Sequence, residues 1–470
     1  MWARAARALR RVALLVPFVL TALTLLLLPR SPPLTPLAAG GAARNRAPAQ
    51  HRADAPRETQ LAKDKTGVIT SMSEESNEWP RRVSEEQSRP WYMKNGEWRP
   101  RNSDPRAMLF PEDAPGYDRI VEQLMYTLPE DDEAPIKRIL LANGIGAWPG
   151  ASLGRRDFIR NKCPVDRCSL TADARDAATA DAILFKDHHT PFNVKRPMNQ
   201  IWILYYLECP YHTASLRPMS VGVFNWTATY RRDSDIVAPY ERWVYHDPLV
   251  TERDHYRNYA ANKTKKVAWF VSNCHARNRR LQFARHLGKY IAVDIYGACG
   301  SHHCPRTDPN CLEMLDRDYK FYLAFENSNC RDYITEKFFV NGLQHDILPI
   351  VMGARASEYA AVAPHNSYVH VEEFANAEEL AMYLRRLDED DTLYNSYFKW
   401  KGTGEFINTY FFCRVCAMLH ASERRQRSAH YTDVQAWWRE AACTRNDWRA
   451  AAPPPPAPPA PPAPLARDNG

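Results

Sequence analysis

The sequence predicts an α/β protein with two domains, which follow an apolar N-terminal segment and a polar linker. The main observation is a strand–loop–helix–strand pattern over residues 319–353. The run at 319–325 is apolar and aromatic, which indicates a buried strand, and residues 346–351 form a second strand before Gly353. Between the two strands, Thr335 is a suitable N-cap residue for a helix. The second observation is that two groups of segments, within residues 105–255 and 266–420, alternate strands with helices in the same way.

The loop and helix start within this pattern are expected to bind a ligand. Open α/β sheets bind ligands at the carboxyl ends of their strands, which is where residues 326–335 lie. Glu336 and Lys337 fall in the first turn of the predicted helix. A lysine beside the free N–H groups of a helix N-terminus is suited to holding a phosphate. The stretch therefore predicts a ligand that contains phosphate.

Composition sets broad limits on the function. A chain of 470 residues has room for two or three domains, and 45% hydrophobic with 25% charged residues is ordinary globular composition. The net charge of +7 favours anionic ligands mildly and does not indicate nucleic acid. The sequence contains neither GxGxxG nor a P-loop, so it gives no support to a dehydrogenase or an NTPase.

The N-terminus predicts a single membrane span. Four arginines within residues 1–11 precede an uncharged apolar run at 12–28. Seventeen helical residues reach roughly 25 Å, which suits a thin membrane of the early secretory pathway. Positive charge before the span predicts a cytoplasmic tail (1–11), a signal-anchor (12–28) and a lumenal remainder. The alternative is a cleaved signal peptide with small residues at 38–43 as the cleavage region.

The rest of the chain divides by composition and periodicity. Residues 29–104 are rich in Pro, Ala, Ser, Glu and Arg and are expected to form a largely disordered stem. Residues 421–448 form a C-terminal extension, and 449–470 form a disordered Pro/Ala-rich tail. In the two domains, strands are predicted at 137–142, 181–185, 200–206, 267–271 and 291–297, in addition to the two named above. Helices are predicted at 172–180, 276–290, 378–387 and 392–401, and residues 404–419 are expected to close the second domain.

Two Rossmann-like domains facing a cleft, in a lumenal protein, indicate a nucleotide-sugar transferase with the GT-B fold. Several motifs are specific enough to name a family. The segments FENS (325–328) and DYITEK (332–337) resemble the donor-binding signature of the family 10 α1,3-fucosyltransferases. Segments 271–277, 294–297 and 224–236 resemble companion motifs of that family, and the match runs in order over roughly residues 137–420.

The resemblance implies GDP-fucose as the donor, inversion at the anomeric carbon and a type II Golgi membrane enzyme. Departure of GDP leaves a diphosphate whose negative charge needs fixed cations, and Arg277 and Lys337, each at a predicted helix start, supply them. Glu336 would stabilise the oxocarbenium-like fucosyl group. Asn327 and Tyr333 would position donor hydroxyls. The companion motifs add three donor-binding candidates, which are Ser272, Asn273 and Tyr296.

Inversion also requires a general base on the acceptor side. Glu208 follows a predicted strand and precedes Pro210, and the resemblance implies that a glutamate in this position is the base. Asp233 and Asp235 are weaker alternatives. These two aspartates also have the form of a DxD metal motif, but two carboxylates alone bind a divalent ion weakly, so we predict no metal site and no obligatory cofactor. Whether a divalent metal stimulates the reaction stays open.

Cysteines and glycosylation sequons agree with a lumenal protein. Cys413 and Cys416 could be half of a zinc site, but no second pair accompanies them. By analogy with the family, they are expected to bridge Cys163 and Cys168. Asn225 and Asn262 begin N-glycosylation sequons, and Asn262, in a polar interdomain linker, is the better candidate.

Two stretches of the chain indicate the acceptor. Residues 267–300 and 394–416 are most similar to the invertebrate core-type branch of the family, which implies fucose transfer to the Asn-linked GlcNAc of N-glycans. The alternatives are a Lewis-type enzyme that acts on antennary GlcNAc and a lectin-like lumenal binder without activity. Among first-domain residues, Trp148, His188 and His189 are more readily structural than sugar-binding.

Overall fold

The computed structural model describes residues 89–101, 107–129, 133–305, 308, 310–424 and 431–445. The predicted cytoplasmic tail, the membrane segment 12–28, most of the stem and the Pro/Ala-rich tail lie outside these residues. Within the described part, no helix has the length and apolarity needed to cross a membrane.

Strands and helices alternate along the chain. In chain order the strands are β1 (Lys137–Leu141), β2 (Cys168–Thr171), β3 (Ala182–Lys186), β4 (Ile201–Tyr206), β5 (Trp226–Thr229), β6 (Arg242–Tyr245), β7 (Lys265–Phe270), β8 (Val293–Tyr296), β9 (Tyr319–Phe325), β10 (Asn329–Cys330), β11 (Leu348–Met352), β12 (Val369–His370), β13 (Gly404–Ile407) and β14 (Cys443–Thr444). The α-helices are α1 (Ile120–Leu124), α2 (Arg156–Arg160), α3 (Arg280–Leu287), α4 (Asn310–Asp318), α5 (Glu336–Phe338), α6 (Ala356–Val362), α7 (Ala377–Glu389), α8 (Asp391–Ser396), α9 (Phe411–Arg424) and α10 (Val434–Arg439). Short 3₁₀ segments occur at Ile145–Ala147, Ala174–Ala178 and Val371–Glu373, and α5 continues as a π-helical turn over Phe339–Leu343.

The first domain contains a five-stranded parallel sheet in the order β2–β1–β3–β4–β5. The predicted strands β1, β3 and β4 are confirmed, whereas β2 and β5 were missed because each is four residues long and rich in Ser, Thr or Ala. The helix predicted at 172–180 is reduced to the 3₁₀ segment Ala174–Ala178.

The second domain contains a five-stranded parallel sheet in the order β12–β11–β9–β7–β8. All seven residues of β9 are buried, as predicted for a central parallel strand, and the run is apolar and aromatic except for Lys320. β9 and β11 are adjacent and parallel, so the strand–helix–strand unit at 319–353 is confirmed. Its carboxyl edge is formed by the residues that follow β7, β8, β9 and β11.

The segment expected to close the second domain is divided between the two domains, and Phe406 of β13 packs beside Phe339 of the second domain, with 6.2 Å between the ring centres. Strand β13 pairs antiparallel with β6, and α9 packs into the core of the first domain beside β1. Disulfides join Cys163 to Cys413 and Cys168 to Cys416, which confirms the predicted pairing of these cysteines. The prediction that residues 404–419 close the second domain was therefore wrong for α9, whose apolar face covers the sheet of the first domain.

The stem boundary and the C-terminal extension are also revised. Within the predicted stem, Trp91 is buried, and its indole N–H donates to the carbonyl of Leu124 at 3.2 Å. In the predicted extension, Trp438 of α10 stacks on Tyr206, while β14 pairs with β10. A disulfide between Cys330 and Cys443 ties this extension to the second domain. The folded region therefore starts before residue 91 and includes residues 431–445.

Candidate active site

A buried carboxylate organises the loop after β9. Glu326 is fully buried and accepts hydrogen bonds from the Thr335 backbone N–H at 2.8 Å and from its hydroxyl at 2.9 Å. A Cβ on Gly353, at the end of β11, would lie 2.6 Å from the Glu326 Cγ, so only glycine leaves room for this side chain. Burial raises the pKa of Glu326, and the nearby Lys337 ammonium only partly offsets that effect.

Lys337 is held at the start of the helix as the sequence predicted. Thr335 is the N-cap residue, and its side chain accepts the Lys337 backbone N–H. The Lys337 Nζ lies 3.2 Å from Glu326 Oε2, 3.1 Å from Glu336 Oε1 and 2.9 Å from the Thr335 hydroxyl. Burial acts to lower the pKa of Lys337, but the two carboxylates outweigh it and the pKa is raised. Lys337 is therefore a fixed cation whose side chain is 21% exposed.

Glu336 points away from the core beside this lysine. Its side chain is 47% exposed, and burial opposes its ionisation less than Lys337 favours it, so its pKa is lowered. A partly exposed, ionised carboxylate at this position can face a group that develops positive charge.

The loop after β7 carries Ser272, Asn273 and Arg277, and all three are exposed. The Arg277 guanidinium lies 4.9 Å from the centre of the Tyr211 ring, which belongs to the first domain. The prediction that Arg277 begins a helix was wrong, because α3 begins at Arg280 after Arg279 takes a left-handed conformation. Asn278 attaches this loop to β9 through its side-chain amide, which donates to the Glu326 carbonyl at 3.0 Å.

The Tyr296 backbone lies beside the loop that carries Ser272, since its carbonyl accepts a hydrogen bond from the Val271 N–H at 2.8 Å, but its side chain packs in the core. It is buried at the end of β8, and its hydroxyl is 2.8 Å from that of Tyr319, which in turn donates to Asp294 at 2.5 Å. In the described structure it makes no contact with Glu208, Asn327 or Lys337. Its observed contacts support the packing of the second sheet.

Glu208 lies where the carboxyl edges of the two sheets meet. It follows β4, and its Oε1 accepts from the Tyr333 hydroxyl at 2.8 Å, from the Cys209 backbone N–H at 2.8 Å and from the Asn327 amide at 3.3 Å. Burial acts to raise its pKa, but these hydrogen bonds and the neighbouring His212 outweigh burial, so the pKa of Glu208 is lowered. The carboxylate is thus ionised, and its side chain remains 45% exposed.

Two neighbours of Glu208 were missed by sequence reasoning. Cys209 is buried, unpaired, and its thiol contacts the Ser328 hydroxyl at 3.2 Å across the two domains. Burial raises the pKa of the Cys209 thiol to about 11. His212 Nδ1 lies 3.5 Å from Glu208 Oε1. The spacing of four residues between Glu208 and His212 was a signal that sequence reasoning could have used.

Comparison with known proteins assigns the family. Family models match residues 136–241 (Fucosyltransferase, N-terminal) and residues 260–437 (Glycosyltransferase family 10 (fucosyltransferase) C-term). The chain is 56% identical over 379 residues to Glycoprotein 3-alpha-L-fucosyltransferase A of Drosophila melanogaster. This alignment covers 76% of this chain and 74% of the relative. The chain belongs to glycosyltransferase family 10. It is an α1,3-fucosyltransferase, which decides against the lectin-like interpretation.

Less similar relatives are also named as α1,3-fucosyltransferases. The fucosyltransferase is 35% identical over 306 residues to Alpha-(1,3)-fucosyltransferase C of Drosophila melanogaster, covering 59% of this chain and 70% of the relative. It is 36% identical over 281 residues to human 4-galactosyl-N-acetylglucosaminide 3-alpha-L-fucosyltransferase FUT6, covering 58% of this chain and 75% of the relative. A crystal structure of an α1,3-fucosyltransferase with GDP-fucose aligns at 18% identity over 66% of this chain and 97% of that chain, with a TM-score of 0.44.

The DxD-like aspartates of the fucosyltransferase have protein partners. Asp233 pairs with Arg231 at 2.6 Å and with Arg331 of the second domain at 3.2 Å. Asp235 is buried and accepts from the Thr227 backbone N–H and the Tyr431 hydroxyl, both at 2.9 Å. These contacts give both carboxylates a structural role, and neither is positioned like the partly exposed Glu208.

The acceptor-side candidates of the fucosyltransferase differ from one another. Trp148 is buried and stacked on Phe411, so it is a core residue, whereas His189 is half-buried and stacks on Phe185. His188 is exposed at the carboxyl edge of the first sheet, and its Nε2 is 2.9 Å from the Asn143 amide. Of the three, His188 is the most exposed, and it lies at the edge that carries Glu208.

The two sequons of the fucosyltransferase also differ. Asn262 is exposed, and Thr264 is exposed as well. By contrast, the Asn225 side-chain oxygen accepts from the Trp202 backbone N–H at 2.9 Å and from Arg196, and Thr227 is fully buried. The folded chain therefore presents the first of these sites to solvent and not the second.

Proposed function

We propose that this enzyme transfers L-fucose from GDP-fucose, with inversion, in α1,3 linkage to the Asn-linked core GlcNAc of N-glycans. The assignment of the acceptor rests on one observation, which is that this chain has a higher sequence identity with one kind of relative than with another. Identity is 56% with an enzyme named for glycoprotein and 36% with one named for a galactosyl-N-acetylglucosaminide. The alternative is an enzyme whose acceptor is antennary GlcNAc.

The donor site is formed by groups around the carboxyl end of β9. Lys337 is a cation fixed by two carboxylates and an N-cap hydroxyl, and Arg277 extends from the facing loop without an ion pair among the described residues. Two cations on neighbouring loops suit a diphosphate, whose charge grows as the sugar leaves. Ser272 and Asn273, exposed on the same loop, are candidates for the nucleotide.

The reaction uses the two sides of the site in one displacement. Glu208 takes the proton of the acceptor hydroxyl, whose oxygen forms a bond to the anomeric carbon of fucose. The bond from that carbon to the diphosphate breaks, and GDP leaves with the electron pair. Glu336 stabilises the positive charge that develops on the sugar ring. Attack on the face opposite the leaving group inverts the configuration.

We extend the proposal to the cellular setting. Residues 12–28 would anchor the chain as a single-pass type II protein of the Golgi membrane, in the GT-B arrangement expected from the sequence. No cofactor is obligatory in this scheme, and the partners are GDP-fucose and a glycoprotein acceptor. Five disulfides, Cys163–Cys413, Cys168–Cys416, Cys274–Cys299, Cys304–Cys311 and Cys330–Cys443, support a lumenal catalytic region.

The acceptor can be tested directly. The purified chain would be incubated with GDP-fucose and either a GlcNAc-terminated N-glycopeptide or a free antennary oligosaccharide without an Asn-linked GlcNAc. Linkage analysis of the products should place fucose on O3 of the Asn-linked GlcNAc and show little transfer to the free oligosaccharide. The reverse preference would replace the core acceptor with the antennary one, and no transfer to either would contradict the proposed reaction.

A further inference from the structure

The two oxygens of Glu208 are not equivalent. Oε1 accepts all three of the hydrogen bonds from Tyr333, Cys209 and Asn327. Among the described residues Oε2 has no hydrogen-bond partner. A carboxylate fixed through one oxygen presents the other in a defined direction, which is the arrangement that a general base requires. Two of the three donors come from the opposite domain.

Tyr333 is the most firmly seated of these donors. Its side chain is 2% exposed, and its ring centre lies 5.0 Å from that of Tyr230. Its backbone N–H donates to the carbonyl of Cys330, which is tied by a disulfide to Cys443. Next to it, the Tyr240 hydroxyl donates to the Leu207 carbonyl at 2.9 Å, which fixes the backbone immediately before Glu208. The phenol oxygen therefore has little freedom to move away from Oε1.

We propose that Tyr333 is a positioning residue for Glu208, and that its hydroxyl holds Oε1 so that Oε2 receives the acceptor proton. The proposal rests on the proposed function and differs from the donor-binding role that family resemblance implies for this residue. It also means that the base of the first domain is completed by a side chain of the second domain.

The ionisable groups around Glu208 determine the sign of the pH effect. From its own segment Cys209 and His212 face it, and from neighbouring elements Tyr230, Tyr240 and Tyr333 face it. The tyrosines and the thiol stay neutral at working pH because burial raises the pKa of each. Removing the Tyr333 hydroxyl takes away a bond to the ionised carboxylate, so the pKa of Glu208 should rise.

The test is Tyr333→Phe in the full-length enzyme, with Tyr230→Phe as the matched control. Tyr230 is also a buried tyrosine, and its hydroxyl has no hydrogen-bond partner among the described residues. For Tyr333→Phe we expect kcat to fall about 10- to 100-fold, since a hydrogen bond to a charged group is lost. The acid limb of the kcat/KM profile should move to higher pH, while the KM for GDP-fucose stays close to that of the wild type. Tyr230→Phe should change none of these quantities.

A second variant keeps the proposal testable if Tyr333→Phe does not fold. Replacement of Tyr333 by 3-fluorotyrosine keeps the ring and the hydroxyl but makes the phenol a stronger donor, so the acid limb should move to lower pH. An unmoved acid limb in both variants would overturn the proposal. A rise in KM for GDP-fucose that accounts for the whole loss would also overturn it and return Tyr333 to the donor. Failure of the proposed function is distinguishable, because the wild-type enzyme would then show no fucose transfer.

Discussion

Glu208→Gln is the most direct test of the general base, and the structure indicates that the substitution is well tolerated by the fold. The glutamine carbonyl oxygen can accept the same donors that now bind Oε1, namely Tyr333, Asn327 and the Cys209 backbone N–H. Its amide nitrogen would take the place of Oε2, which has no hydrogen-bond partner among the described residues. The side chain is 45% exposed, so no large cavity or buried unpaired group is created.

The magnitude follows from the loss of proton transfer. General base catalysis contributes about 10²- to 10⁴-fold to a reaction rate, which corresponds to roughly 2.7–5.4 kcal/mol in the activation free energy. The effect on stability should be small, because the three donors keep an acceptor in the glutamine carbonyl oxygen and solvent screens a side chain that is 45% exposed. The affinity for GDP should be unchanged, because the proposed diphosphate ligands, Lys337 and Arg277, are not altered.

The assay combines steady-state fucose transfer with calorimetric titration of GDP. Glu252→Gln serves as the control, since this glutamate is 41% exposed and pairs with His365 at 2.9 Å. Glu208→Gln should lose turnover by the stated factor and keep its GDP affinity, and Glu252→Gln should match the wild type. Full turnover in Glu208→Gln would refute the assignment and move the base to another group.

Three further predictions follow from other parts of the structure. Lys337→Met should weaken GDP-fucose binding about 10- to 100-fold and lower the melting temperature, because buried Glu326 loses its cation; Glu326→Gln/Lys337→Met should recover the melting temperature but not the affinity, and recovered affinity would show that Lys337 has only a structural role. All eleven cysteines lie in the described residues and five disulfides use ten of them, so thiol titration should find one reactive group per chain, Cys209, and only after unfolding; peptide mapping that found Cys163 or Cys413 free would contradict this pairing. Thr264→Ala should remove one glycan from the chain expressed in eukaryotic cells, seen as faster migration on a gel, whereas Asn225→Gln should leave its mobility unchanged; a shift in the second variant would mean that modification precedes folding at that site.

Sequence reasoning succeeded where a local pattern determined the structure. The apolar run of β9 and the N-cap Thr335 each depend on residues close in sequence, and both were predicted correctly. It failed for α9, whose apolar periodicity indicates a packed face but does not say which sheet the face covers. The predicted helix start at Arg277 was wrong for a related reason. Arg279 adopts a left-handed conformation, so the helix begins at Arg280, and no sequence rule favours that conformation for arginine.

For the candidate site too, features determined by neighbouring residues were predicted, and features that depend on distant residues were not. Lys337 and Glu336 were placed correctly because they belong to one turn, and the cysteine pairing came from family resemblance. Glu326 was part of a recognised motif but was given no role, because its burial and its contact with Lys337 depend on how Gly353 packs against it. Contacts between Glu208 and Tyr333, 125 residues apart, lie beyond any local pattern.

The segment between β9 and α5 explains why the site needs both domains. Its first part, Glu326, binds Thr335 and Lys337 and so belongs to the donor side. Its second part contacts the first domain, where Asp332 pairs with Arg232 at 2.9 Å and Tyr333 binds Glu208 at 2.8 Å. A displacement of this segment that improved donor contacts would therefore also move the group that fixes the base. The groups that bind the donor and the hydroxyl that fixes Glu208 lie in one short segment, so donor binding and the orientation of Glu208 are coupled. Substitutions at the interdomain pair Arg232–Asp332 should therefore affect kcat as well as stability.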